Sequence, residues 1–89
     1  MRIPTNKLIL EAMAARSGTA LVAREVKHIL RETYGRGASA KSVSKSLLVL
    51  EDEHPMVNRR ETTSREKGLF NCRYLYLYGF FNPDTGEVA

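Results

Sequence analysis

The chain has 89 residues, enough for one domain with a small core and too few for two. Its 43% hydrophobic and 27% charged residues match globular chains, which excludes wholesale disorder. Fourteen Lys and Arg against ten Asp and Glu leave a net charge of +4, a balance that suits a polyanionic partner without proving one.

Apolar runs such as residues 8–10, 12–15 and 47–50 fall far short of the roughly 20 residues that span a bilayer. No membrane association is expected. Met1-Arg2 followed by Leu8-Ile9-Leu10 imitates a secretion signal, but Glu11 interrupts the apolar stretch such a signal needs, so a cytoplasmic location is expected. The single cysteine, Cys72, forbids an internal disulfide and leaves no zinc ligand set. No cofactor and no small-molecule ligand are predicted.

The first periodic segment is Thr5 to Arg16, with Pro4 before it and Ser17-Gly18 after it. Leu8, Ile9, Ala12, Met13 and Arg16 recur at spacings of three and four, which predicts a helix with one buried face and Thr5 or Asn6 as its cap. Thr19 to Val22 either begins the next helix or forms a short extended link. From Val22 the pattern Val22, Val26, Ile29, Leu30, Thr33 predicts a second helix, stopped by Tyr34-Gly35-Arg36-Gly37 because glycine accepts the left-handed conformation at a helix end.

A third helix begins after Ser39, a plausible N-cap, and Ala40, Val43, Leu47 and Leu50 share one face. Lys41, Ser42 and Lys45 fall on the opposite face, with Ser39 and Ser46 at its margin. Glu51-Asp52-Glu53 closes the helix before His54-Pro55, where the proline disfavours helical geometry. Acid at a helix C-terminus opposes the macrodipole, so this cluster does not serve helix stability.

After Pro55 the period becomes strand-like. Val57 to Thr62 and Leu69 to Phe81 predict a hairpin joined by a polar loop from Thr63 to Gly68. Residues 57–76 carry five Arg and Lys against two Glu. On the second strand Phe70, Cys72, Tyr74, Tyr76, Tyr78 and Phe80 fall on one side, and Leu69, Leu75, Leu77 and Phe81 on the other. Residues 82–89 read as turn chemistry followed by a frayed tail, so the single domain of 1–89 has its core at about 5–81.

Three short helices followed by a basic hairpin, with a small-residue face on the third helix, resemble the winged helix-turn-helix superfamily of DNA-binding domains. The likeness covers roughly residues 5–80 and rests on element order and charge placement. It implies an α+β, three-helix winged helix-turn-helix fold with a C-terminal β-hairpin wing. It further implies that the third helix, Ser39 to Glu53, lies in a major groove, and that the wing, Val57 to Tyr78, lies along the backbone or in a minor groove. The chain departs from the pattern at the two-glycine connection Tyr34–Ala38.

The residues support the same reading by themselves. Ser39, Ser42 and Ser46 are small enough to let a helix approach base edges, and Lys41 and Lys45 can reach phosphates or guanine. The hairpin adds Arg59, Arg60, Arg65, Lys67 and Arg73, a density of positive charge suited to phosphates, with Arg65 or Lys67 at the loop able to enter a minor groove. Charge on an exposed hairpin also protects its edges from unwanted pairing.

Six of the seven aromatic residues lie between Phe70 and Phe81. Three readings of this strand stay open: it packs on the helices, it offers Tyr74, Tyr76 and Tyr78 to a second copy or another protein, or it stacks bases of a single strand. No catalytic residue is expected: His28 and His54 have no partner at a useful spacing, Cys72 suits a small buried position, and Gly35-Arg36-Gly37 lacks the context of a phosphate loop. The sequence thus points to a small double-stranded DNA-binding protein acting as a transcriptional regulator. The alternative is an interaction module or inhibitor using the tyrosine strand and the acidic cluster.

Overall fold

The computed structural model describes residues 3–89, a small α+β domain of four helices and a two-stranded antiparallel sheet. Helices α1 (Thr5–Ala15), α2 (Ala23–Tyr34) and α3 (Ala40–Glu53) precede β1 (Val57–Glu61), α4 (Ser64–Phe70) and β2 (Tyr74–Tyr78). Among the described residues no helix is long and apolar enough to cross a membrane.

The three long helices form where the apolar periodicity puts them. Leu8, Ile9, Ala12 and Met13 of α1, Val26 and Leu30 of α2, and Val43, Leu47 and Leu50 of α3 are buried. The start of α1 differs from expectation: Pro4 occupies the cap and Thr5 is the first helical residue. The Thr5 hydroxyl instead accepts a bond from Arg36 Nη1 at 3.1 Å, while Arg36 Nη2 donates to the Ile3 carbonyl at 2.9 Å. The α2–α3 connection is thereby tied to the beginning of α1. Gly35, at φ 62°, closes α2 in the left-handed conformation, and the Arg36 N–H reaches back to the Leu30 carbonyl at 3.1 Å. Of the two glycines in this connection, Gly35 makes the helix stop.

Residues 19–22 resolve as an extended link. Leu21 exchanges two backbone bonds with Tyr76, at 2.7 and 2.8 Å, so β2 is paired on both edges. On its other edge the register runs from Val57↔Tyr78 to Glu61↔Tyr74. Val22 then precedes α2, and its N–H donates to the Glu25 carboxylate at 3.1 Å, satisfying one of the unpaired donors of a helix start.

The hairpin differs from expectation in three ways. The connection read as a polar loop is the helix α4, so the fold has four helices where three were expected. Thr63 Oγ1 accepts from the Glu66 N–H and the Glu66 carboxylate accepts from the Thr63 N–H at 2.9 Å, a reciprocal capping box. Asn71, at φ 50°, ends the helix. The second strand is accordingly only Tyr74–Tyr78, because α4 consumes Leu69 and Phe70, and Gly79 at φ 143° breaks the alternation before Phe80. Finally, residues 82–89 are not a frayed tail. Phe81 bridges Val88, Ala89 N–H bonds the Phe80 carbonyl at 2.9 Å, and Arg60 donates to the Gly86 carbonyl.

The strand face Tyr74, Tyr76, Tyr78 turns inward. Tyr76 is 3% exposed and belongs to the same core as Leu47, Leu50 and Val57, with Tyr74 and Tyr78 packed against it. Leu75 and Leu77, on the opposite face, are buried too. The expectation of a tyrosine surface for a dimer or partner is therefore corrected: a short strand between two partners is needed to fill the core beneath three helices. Burial also pushes the Tyr76 phenol up, against the lowering influence of nearby Arg59.

Tyr76→Ala is expected to cost about 3 kcal/mol or more, the usual penalty for emptying a buried aromatic site. Phe80→Ala, at a residue 56% exposed, should change stability by less than about 0.5 kcal/mol. Urea denaturation of the two variants distinguishes a core strand from a surface one.

Candidate nucleic-acid interface

Ser39 caps α3, its hydroxyl accepting from the Ser42 N–H at 3.1 Å and pairing with the Ser42 hydroxyl at the same distance. Its side chain is thus occupied in holding the helix start, which fixes the direction in which Lys41 and Lys45 project. Lys41, Ser42 and Lys45 are exposed, as expected of the outward face, whereas Ser46 is half-buried on its flank. Ala40, assigned by spacing to the core, is exposed because it sits before the first buried turn.

The hairpin's five basic residues do not form one cluster. Arg60 makes a bidentate pair with Glu66, at 2.7 and 2.8 Å, bonds Gly86, and lies over the Phe81 ring. It holds α4 and the C-terminal turn against β1 and is unavailable to a phosphate. The Arg60 guanidinium also holds the Glu66 carboxyl well below its usual range, at about 2, aided by the Thr63 backbone donor. Arg59 lies 3.8 Å from Glu51 at the end of α3 and stacks over Tyr74 at 4.5 Å. This contact offsets one of the three acids of the cluster and couples α3 to the sheet.

Arg65 and Lys67 fall on different sides of α4. Arg65 faces the cleft toward the C-terminal turn, beside Glu66 and Asp84. Lys67 and Arg73 border a shared hollow with Glu61 and Thr62. Arg73, with its side chain 72% exposed, also borders a second groove of about 190 Å³. That groove runs between Ala23 of α2, Ser44 and Leu48 of α3, and Cys72 and Tyr74. Arg73, which lies 3.9 Å from Glu61, therefore borders both hollows, with Lys67 on one and Leu48 of α3 on the other, and Arg60 and Arg65 border neither.

Arg65 and Lys67, placed on a loop by the sequence reading, sit on α4.

One set of basic residues escaped the sequence reading. Arg24, Lys27, His28 and Arg31 of α2 are all exposed and recur at i, i+3, i+4 and i+7. Arg24 Nη2 donates to the Phe70 carbonyl at 2.9 Å, joining the start of α2 to the end of α4. Lys27 is one turn beyond Ala23, which borders the groove, while Glu25 lies on the opposite flank beside Arg16 and Ile29. Arg24, Lys27, His28 and Arg31 thus border one hollow on α2, and Arg24 and His28 also border the Glu25 cleft. The signal was present in the spacing, but alternating signs along the helix concealed it.

Burial pushes the Cys72 thiol up, which keeps it protonated at neutral pH. Among the described residues no group of three or more His, Cys, Asp or Glu could hold a metal ion. No protein-family model matches the chain, and neither a curated protein nor a solved structure matches it.

Because the folded Glu66 value lies below the ordinary 4.5, the pair's contribution to stability is complete above about pH 4.5 and is lost as pH falls toward 2. Urea midpoints across this acid range should fall steeply for the wild type, and Glu66→Gln should remove that part of the slope.

Proposed function

We propose that this chain is a winged helix-turn-helix domain that binds double-stranded DNA in a sequence-specific manner and regulates transcription by occupying its site. The observation that carries the reading is the exposed pair Lys41 and Lys45 on the side of α3 from which Leu48 borders a groove with Arg73, with Lys67 sharing a second hollow with Arg73 and Lys27 exposed on α2. Three helices, α2, α3 and α4, and the α4–β2 connection contribute these cations, a spread that solubility alone does not require. Several acids are paired: Glu66 with Arg60, Glu51 with Arg59, and Glu61, which borders the Lys67 hollow, with Arg73 at 3.9 Å, while Glu25 lies in a different cleft on α2.

In this reading the capped start of α3 enters the major groove, where Ser42 permits close approach and Lys41 and Lys45 meet guanine edges or phosphates. The wing and the α2 flank hold the backbone on either side and set the register of α3. Asp52 and Glu53, exposed at the far end of α3, are repelled by phosphates, so the helix tilts with its start inward.

The test is fluorescence anisotropy with duplex and single-stranded oligonucleotides over a salt series. Duplex is bound in preference to single strand, and log K falls steeply with log[salt]. Lys41→Ala with Lys45→Ala weakens binding by about tenfold or more at moderate salt. Lys67→Ala with Arg73→Ala weakens all sequences alike and reduces the salt slope by about 1 to 2, since each phosphate contact adds about 0.9. Arg65→Ala changes neither. Absence of duplex binding at low salt overturns the proposal.

A further inference from the structure

The outward side of α3 is not wholly polar. Leu48 is 40% exposed and Val49 42% exposed, although the buried face of the helix is already complete with Val43, Leu47 and Leu50. Leu48 lies three residues after Lys45 and seven after Lys41, so all three project from the same side. It also borders the groove that leads to Arg73. One turn further on stands Asp52, exposed and acidic, which marks how far α3 can follow a polyanion. Leu48 is therefore the last position on this side that tolerates contact with DNA.

An apolar side chain in the major groove finds one apolar feature there, the C5-methyl group of thymine. The axial step from Lys45 to Leu48 is about 4.5 Å, close to the spacing of about 3.4 Å between successive base pairs. We infer that Leu48 is a specificity-determining residue that contacts a thymine methyl group, one base-pair step beyond the pair met by Lys45. This inference rests on the DNA-binding reading above and sharpens it: the bound sequence carries a thymine next to the base pair contacted by Lys45, with guanine the natural partner of that lysine.

The probe is a duplex selected from a random library by the wild-type protein, in which each thymidine is replaced singly by deoxyuridine. That exchange removes one methyl group and leaves every hydrogen bond in place. One replacement is expected to weaken wild-type binding by about fourfold, the worth of one buried methyl group, and the others to have no effect. Leu48→Ala should bind the thymine and uracil duplexes equally, and Val49→Ala should keep the wild-type discrimination. Matched thermal melting curves show that Leu48→Ala, a change at a half-exposed position, remains folded. If no uracil replacement weakens the wild type, the inference is wrong, whatever the variants do. Persistence of the full effect in Leu48→Ala overturns it equally. Failure to bind any duplex overturns the parent reading instead, so the two are distinguishable.

Discussion

A single five-residue strand carries the organisation of this domain. Tyr74–Tyr78 is hydrogen-bonded to β1 on one edge and to Leu21 on the other, with Leu75, Tyr76 and Leu77 all buried. In a chain without a disulfide, such a strand is what allows three helices to share one core. Tyr76 and Val57 meet Leu47 and Leu50 beneath α3, so the position of the outward lysines is set by the strand beneath them. Displacing the strand would move α3 and the wing together.

The same economy governs the charges. Of the cations on the hairpin, Arg60 is spent on architecture, clamping α4 through Glu66 and the C-terminal turn through Gly86. Arg59 links Glu51 to the sheet while stacking on Tyr74. Lys67 and Arg73 border a hollow with Glu61, which lies 3.9 Å from Arg73, and Arg73 alone also borders the groove beside α3. The capping box of α4 fixes the helix that carries Lys67.

Several features were legible in the sequence because they are local. The periods of three and four in residues 5–16, 22–33 and 40–50 fixed three amphipathic helices, Ser39 announced its cap, and Gly35 its stop. The capping box Thr63-Ser64-Arg65-Glu66 was equally local, yet Gly68 and the surrounding polar residues suggested a loop. Helix propensity there is weak, and the element depends on Glu66 being held by both Thr63 and Arg60.

The amino-acid sequence by itself determined the α+β class, the order of the three long helices and the hairpin, the outward placement of Lys41 and Lys45, and the absence of a disulfide. Each follows from spacing along one element or from composition. Only the tertiary structure decided that the tyrosine face is core, that Arg60 is a structural clamp, and that Arg65 parts company with Lys67. An alternating strand presents two apolar faces and a charged helix two flanks. Which of each is buried or shared depends on what packs against it from distant parts of the chain.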